Sequence, residues 1–229
     1  MSSFGLRLLA LATMLLDHLG LALFPRVAGF RMAGRLSFPL VCFLLAEGAR
    51  HTRSRRAYAL RLLMLALLCE APYDLLRFGH PFSLLEQNVG FSLLLSLGMI
   101  EASDRLGARW PLALLGACLL AMGLGLSYGL LGPALCWAFY ASRRRRFRAS
   151  SAFVLPIAYA FLLMASGVYA DWVRVSLAAP LAALPILAYN GQPGPRARAW
   201  TLFFYAAIPA HLIVLVLLRM SRIVPPWFL

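Results

Sequence analysis

Runs of apolar residues, most of them about twenty long and parted by short arginine-bearing stretches, recur along the whole 229-residue chain. That rhythm constrains the fold more than any motif, because about 20 apolar residues is the helix length that crosses the hydrocarbon core of a bilayer. A soluble domain averages about 45–50% apolar residues. Here the share is 62%, with only 13% charged. The excess is too large for a core and too continuous for a surface, which excludes a soluble globular enzyme. The abundance of aliphatic and aromatic residues excludes disorder. Backbone in hydrocarbon must satisfy its own hydrogen bonds, and the runs lack the alternation of an outer-membrane barrel. The expected class is therefore all-α: a polytopic helical membrane bundle, with residues 1–229 forming one transmembrane domain.

The apolar runs predict about nine transmembrane helices, near 4–24, 35–50, 57–73, 85–103, 110–126, 128–141, 150–167, 172–189 and 200–220. The first is read as a span and not as a cleaved signal peptide, since it is long, lacks a small-residue cleavage site and is followed at once by further spans. All 22 basic residues are Arg, against 8 acidic residues, for a formal charge of +14. They sit between apolar runs, where positive-inside topology accounts for them better than nucleic acid. With the N-terminus in the cytoplasm, fifteen arginines fall inside, in clusters at 50–61 and 143–148 and with Arg196 and Arg198 among them. Seven fall outside, Arg222 included. The four cysteines lie in apolar runs without paired spacing and read as small buried hydrophobes; no metal site is expected.

Ionisable groups at membrane depth are costly, so each needs an account. Asp17 and His18 sit together late in the first helix. His titrates near neutral pH and suits a general base, although a polar pair bonding two helices is the plainer reading. Neighbouring residues on a helix point about 100° apart, so Asp17 is expected to pair with an Arg from another helix, with Arg35 the candidate. Glu47 closes the second helix twelve residues after Arg35, about 18 Å away along the axis, too far for the two to pair. His211 follows Pro209, which removes a helix hydrogen bond. The 50–61 stretch holds Arg50, His51, Arg53, Arg55, Arg56, Tyr58 and Arg61. It reads either as a topology anchor or as a clamp for a diphosphate, whose geometry Arg forks match.

The ordered set Leu15-Leu-Asp-His-Leu-Gly, Gly34-Arg-Leu-Ser-Phe-Pro, Glu47-Gly48, His51-Thr52, Tyr189-Asn-Gly-Gln-Pro-Gly and Phe204-Tyr-Ala-Ala-Ile-Pro-Ala-His-Leu resembles the TraX family over nearly the whole chain. Ile208 stands where an aromatic would be expected before Pro209. The resemblance implies an inner-membrane protein of bacterial conjugation systems, whose best-known activity is N-terminal acetylation of pilin, and a similarity to larger transmembrane acyltransferases. By matching position it singles out Asp17, His18, Arg35, Glu47 and His211 as catalytic candidates, and Asn190 and Tyr205, beside the 50–61 loop, on the donor side. The expectation is an acetyltransferase using acetyl-CoA as co-substrate. His18 would be the base, and the acceptor a pilin N-terminus or another amine or hydroxyl on a small molecule or glycan. A small transporter or flippase and a non-catalytic pilus-assembly factor are the alternatives, and transfer direct or through an acyl-His stays open.

Overall fold

The computed structural model describes residues 1–167, 170–195 and 198–221. Arg196 and Arg222 of the charge reading lie outside them, as does the side chain of Arg198. Every regular element among the described residues is helical. The chain runs α1 (Ser3–Ala22), α2 (Ala28–Gly34), α3 (Ser37–His51), α4 (Arg55–Phe78), α5 (Val89–Leu106), α6 (Trp110–Gly123), α7 (Leu131–Ala141), α8 (Arg145–Ala165), α9 (Ala170–Ser176), α10 (Ala183–Leu187) and α11 (Arg198–Met220).

The expected count of nine spans is not confirmed. Among the described residues, five helices are long and apolar enough by length and composition to cross a membrane: Ser3–Ala22, Ala28–His51, Val89–Gly123, Arg145–Ala165 and Ala199–Met220. The run near 128–141 yields an α7 of 11 residues, about 16 Å at 1.5 Å per residue and half a bilayer core. The run near 172–189 breaks into α9, a 3-10 turn at Ala179–Ala182 with Pro180 in its first turn, and α10. The run at 57–73 extends instead to Phe78, passing through Pro72, and stops where Gly79 turns left-handed at φ 80°.

Starts are fixed by side chains that accept the orphan N–H groups of the first turn. Ser2 accepts from Gly5, Ser54 from Ala57, and Asn88 from Gly90. Much of α3 is enclosed: Phe38, Leu40, Cys42, Phe43, Leu45, Ala46 and Ala49 are all buried. They form one core with Leu97 and Ile100 of α5, Leu131, Leu135, Cys136 and Phe139 of α7, and Ile186 of α10. A smaller cluster joins Ala22 and Leu23 to Cys69 and Leu76 of α4 and to Leu212 and Leu215 of α11. Cys42, Cys69 and Cys136 are buried and Cys118 is half-buried; all four are free thiols.

The bundle has two chemically different ends. At one, the Met1 ammonium donates to the Ala188 carbonyl at 2.6 Å and Ser3 to Gln192 at 2.8 Å. There too Arg55 pairs with Glu101 and Asp104, and Arg148 with Glu47. The 50–61 and 143–148 clusters therefore share this end. His18 stands fifteen residues up α1 from Ser3, about 22 Å away, toward the opposite end.

Candidate functional site

Two glycines let α2 fold back along α1. A Cβ at Gly20 would lie 2.7 Å from the Phe30 Cβ, and one at Gly34 would fall onto the Cβ and Oδ1 of Asp17. The approach carries Arg31 and Arg35 to Asp17, at 2.8 and 3.3 Å. Arg31 also donates to the Asp17 carbonyl at 3.2 Å. The pairing expected of Asp17 with an arginine of another helix is thus present, doubled by Arg31. One carboxylate between two guanidiniums offsets half of the local positive charge, which matters in a low-dielectric bundle.

One residue on, His18 turns toward α11. Its Nδ1 lies 3.0 Å from Nε2 of His211, while His211 Nδ1 lies 2.9 Å from the Ala207 carbonyl. A carbonyl only accepts, so His211 Nδ1 carries the hydrogen. In a neutral pair His211 Nε2 then accepts, and His18 Nδ1 donates to it. The chain of donors runs His18 to His211 to Ala207 and leaves the lone pair on His18 Nε2. Tyr73 meets the His18 ring edge-on, centroids 6.4 Å apart.

His18, His211, Asp17, Arg31 and Arg35 all line one cavity, of about 1100 Å³ with its open mouth included. Its wall on α4 runs from Leu62 to Arg77, about 22 Å of helix. The stretch nearer the basic end is apolar, with Val41, Leu62, Leu65 and Leu93, and the far stretch is polar. There Glu86 accepts from Tyr73 at 3.1 Å, Ser127 at 2.9 Å and Arg77 at 3.3 Å. Asp74, fully buried, holds the loop bearing Glu86 by accepting from the Ser83 amide at 2.7 Å.

Tyr128 closes the same wall. Its ring stacks flat on Phe38, centroids 3.6 Å apart, and its oxygen accepts from Arg35 Nη1 at 3.1 Å. Its φ is 64°, the one positive value on a non-glycine residue among those described. For a bulky residue that region costs on the order of 1–3 kcal/mol and persists only where the surroundings over-determine it. Here Ser127 donates to Gln87 at 3.0 Å, Ser92 donates to the Ser127 carbonyl at 2.6 Å, and Leu131 donates to the Tyr128 carbonyl at 3.0 Å.

The remaining candidates stand at the basic end. Glu47 accepts from Arg50 at 2.7 Å, Arg148 at 2.8 Å and the Tyr189 hydroxyl at 3.4 Å. It ties α3 to α8 and is not brought to His18. Arg50 also donates to the carbonyls of Phe139 and Ser142, at 2.8 and 3.1 Å, and to that of Tyr140. Arg55 is held by Glu101, Asp104 and the Tyr140 hydroxyl. Of the five arginines expected to clamp phosphate, Arg50 and Arg55 are therefore occupied within the protein. His51 bonds the Glu47 carbonyl at 2.8 Å. Tyr58 lies over Gly48 and under the Arg61 guanidinium. Arg53, Arg56 and Arg61 are exposed. Asn190 accepts from Gln192 at 3.1 Å beside Met1, while Tyr205 lies six residues below His211 on α11. Sequence reasoning passed over Arg31, Tyr73, Arg77, Glu86, Ser127 and Tyr128. Arg31 had a signal, one helical turn before Arg35. Glu86 and Tyr128 had none, since both sit on connections whose path only packing sets.

A family model described as TraX protein matches residues 3–219. The chain belongs to the TraX family. A curated relative from Dichelobacter nodosus, described as a probable fimbrial assembly protein FimC of serogroup H1, is 36% identical over 115 residues. The match covers 44% of this chain and 47% of the relative, so the chain spans about half the length of the curated relative it matches. No solved structure matches.

Proposed function

We propose that the chain is an integral membrane acetyltransferase of pilus or conjugation systems, taking an acetyl group from acetyl-CoA to an amine or hydroxyl, with a pilin N-terminus as the first acceptor to try. The observation that carries the reading is the His18–His211 pair at 3.0 Å inside an elongated cavity. A neutral imidazole with its lone pair directed by a second, carbonyl-anchored imidazole is a general base already oriented for use. The fimbrial relative and the family's association with pilin acetylation point to the same biology.

The cavity suits the donor's long, thin arm: apolar toward the basic end, polar where His18 and Arg35 stand. The donor supplies an activated thioester. Arg53, Arg56 and Arg61, exposed at the basic end, would hold its phosphates. His18 Nε2 takes the proton from the attacking amine or hydroxyl and returns it to the departing sulfur. His211 keeps that nitrogen unprotonated and aimed. Asp17 holds Arg31 and Arg35 at the polar end, keeping positive charge where the carbonyl oxygen gains electrons. The basic end faces the cytoplasm of the bacterial inner membrane, where acyl-CoA is found and where positive clusters lie.

The test is transfer of labelled acetyl from acetyl-CoA by the purified chain in lipid nanodiscs, with titration calorimetry against CoA. His18→Ala should lower transfer about 10²–10⁴-fold with CoA affinity kept. A wild type that neither binds CoA nor transfers acetyl ends the acetyltransferase reading and favours an assembly role.

A further inference from the structure

Tyr128 combines three properties. Its backbone is the strained one, at φ 64°. Its side chain is clamped, stacked on Phe38 at 5° between planes and bonded by Arg35. It borders three cavities at once: the one holding His18, a second toward Met122, Tyr159 and Leu163, and a small one beneath Pro39 and Pro156. Plain packing explains the ring, since a phenyl stacks on Phe38 as well as a phenol does. It does not explain the hydroxyl. That oxygen accepts from Arg35, and among the described residues its hydrogen has no acceptor. A polar hydrogen at a cavity wall, polarised by a guanidinium on the same oxygen, is a strong donor waiting for an anion.

We propose that Tyr128 is a catalytic residue: its hydroxyl, with Arg35 behind it, is the donor that holds the carbonyl oxygen of the transferred acyl group as negative charge builds there. The inference rests on the acyl-transfer reading above. As the acceptor's lone pair bonds the acyl carbon, its proton goes to His18 Nε2 and the carbonyl π pair moves onto oxygen. Tyr128 O–H and the Arg35 guanidinium stabilise that oxygen. When the pair returns, the carbon–sulfur bond breaks, and the thiolate leaves with the proton from His18. Tyr128 keeps its own hydrogen throughout. Asp17, 3.3 Å from Arg35 Nη2, fixes the guanidinium, and the left-handed turn fixes the phenol. Both donors are therefore in place before charge develops, which is the condition under which such donors accelerate most.

The experiment uses membranes from source cells lacking the gene and complemented with the full chain, so that the natural acceptors are present. Labelled acetyl-CoA is supplied, and incorporation into protein and lipid fractions is counted. Tyr128→Phe keeps the stack and removes only the hydroxyl. The expected result is a loss of kcat of about 10²–10³-fold, with the KM for acetyl-CoA and the thermal unfolding midpoint close to wild type. 3-Fluorotyrosine at position 128, which keeps both ring and hydroxyl, should retain activity within a few fold. An active wild type with an equally active Tyr128→Phe overturns the role of Tyr128 and leaves the acetyltransferase standing. Loss of activity together with loss of CoA binding or of the unfolding midpoint makes Tyr128 structural and likewise overturns it. A wild type that incorporates no label overturns the acetyltransferase reading, and this role with it.

Discussion

Adding one methyl group at Gly34 should disable the polar end of the cavity without replacing any charged or titrating residue. A Cβ there would lie 2.6 Å from the Asp17 Cα and nearer still to its side chain. Non-bonded carbons settle at about 3.5–4.0 Å, so α2 must retreat from α1 by roughly 1 Å. The bonds from Arg31 and Arg35 to Asp17, now 2.8 and 3.3 Å, would then open to about 4 Å, beyond hydrogen-bonding reach. Overpacking of this kind costs about 1–3 kcal/mol. A 1 Å misplacement of groups around a reacting centre can cost about 10²-fold in rate. Gly34→Ala is therefore expected to unfold at a lower temperature in detergent and to transfer acetyl about 10²-fold more slowly. Its CoA affinity should be unchanged, because the basic end proposed to hold the phosphates lies some 20 Å away along α1. The assays are thermal unfolding of the purified chain and label transfer in nanodiscs. A wild-type midpoint together with a wild-type rate would refute the close approach of α1 and α2, and with it the placement of Arg35.

Asp17→Asn should cost about 3 kcal/mol of stability, since breaking a buried pair leaves two guanidiniums without their carboxylate; thermal or denaturant unfolding reads it. Glu47→Ala should destabilise by a similar amount through Arg50 and Arg148, yet leave the transfer rate per folded molecule near wild type, because Glu47 stands at the other end from His18. Arg53→Ala and Arg56→Ala should weaken CoA binding in calorimetry with little change in unfolding. Arg55→Ala should do the reverse, as its fork is held by Glu101, Asp104 and Tyr140. Single cysteines at positions 53 and 145 should resist an impermeant thiol reagent applied to intact cells; labelling of either would reverse the assigned orientation.

Part of the site was legible before any fold was known. Asp17, His18, Arg35 and His211 stand out because charge and imidazole are expensive in hydrocarbon, so their presence in apolar runs demands partners. That three separate helices each carried such a group already implied convergence. Glu47, Arg50 and Arg55 carried the same signal with a different outcome. Arg50 pairs with Glu47 and Arg55 with Glu101 and Asp104 at the basic end, and spacing along a helix cannot tell a ligand clamp from an internal knot. Tyr128 gave no warning at all. A tyrosine between glycines is unremarkable in a sequence, and its left-handed backbone and its contact with Arg35 are both long-range consequences.

The amino-acid order by itself determined the solvent and the class. Apolar runs of bilayer length must enter lipid, and a backbone in lipid must close its hydrogen bonds as helices. It also determined which residues needed an explanation. Only the tertiary structure showed that the runs near 128–141 and 172–189 form short helices, because Pro180 and the shortness of α7 act through local geometry that a hydropathy pattern smooths over. Only it decided that Arg31 joins Arg35 on Asp17, that His18 finds His211, and that Arg50 and Arg55 are already taken. The physical reason is the same in each case. Hydropathy is a sum over neighbours along the chain, whereas a site depends on which helices come within a few ångströms of one another, and that is set by small residues at crossings such as Gly20 and Gly34.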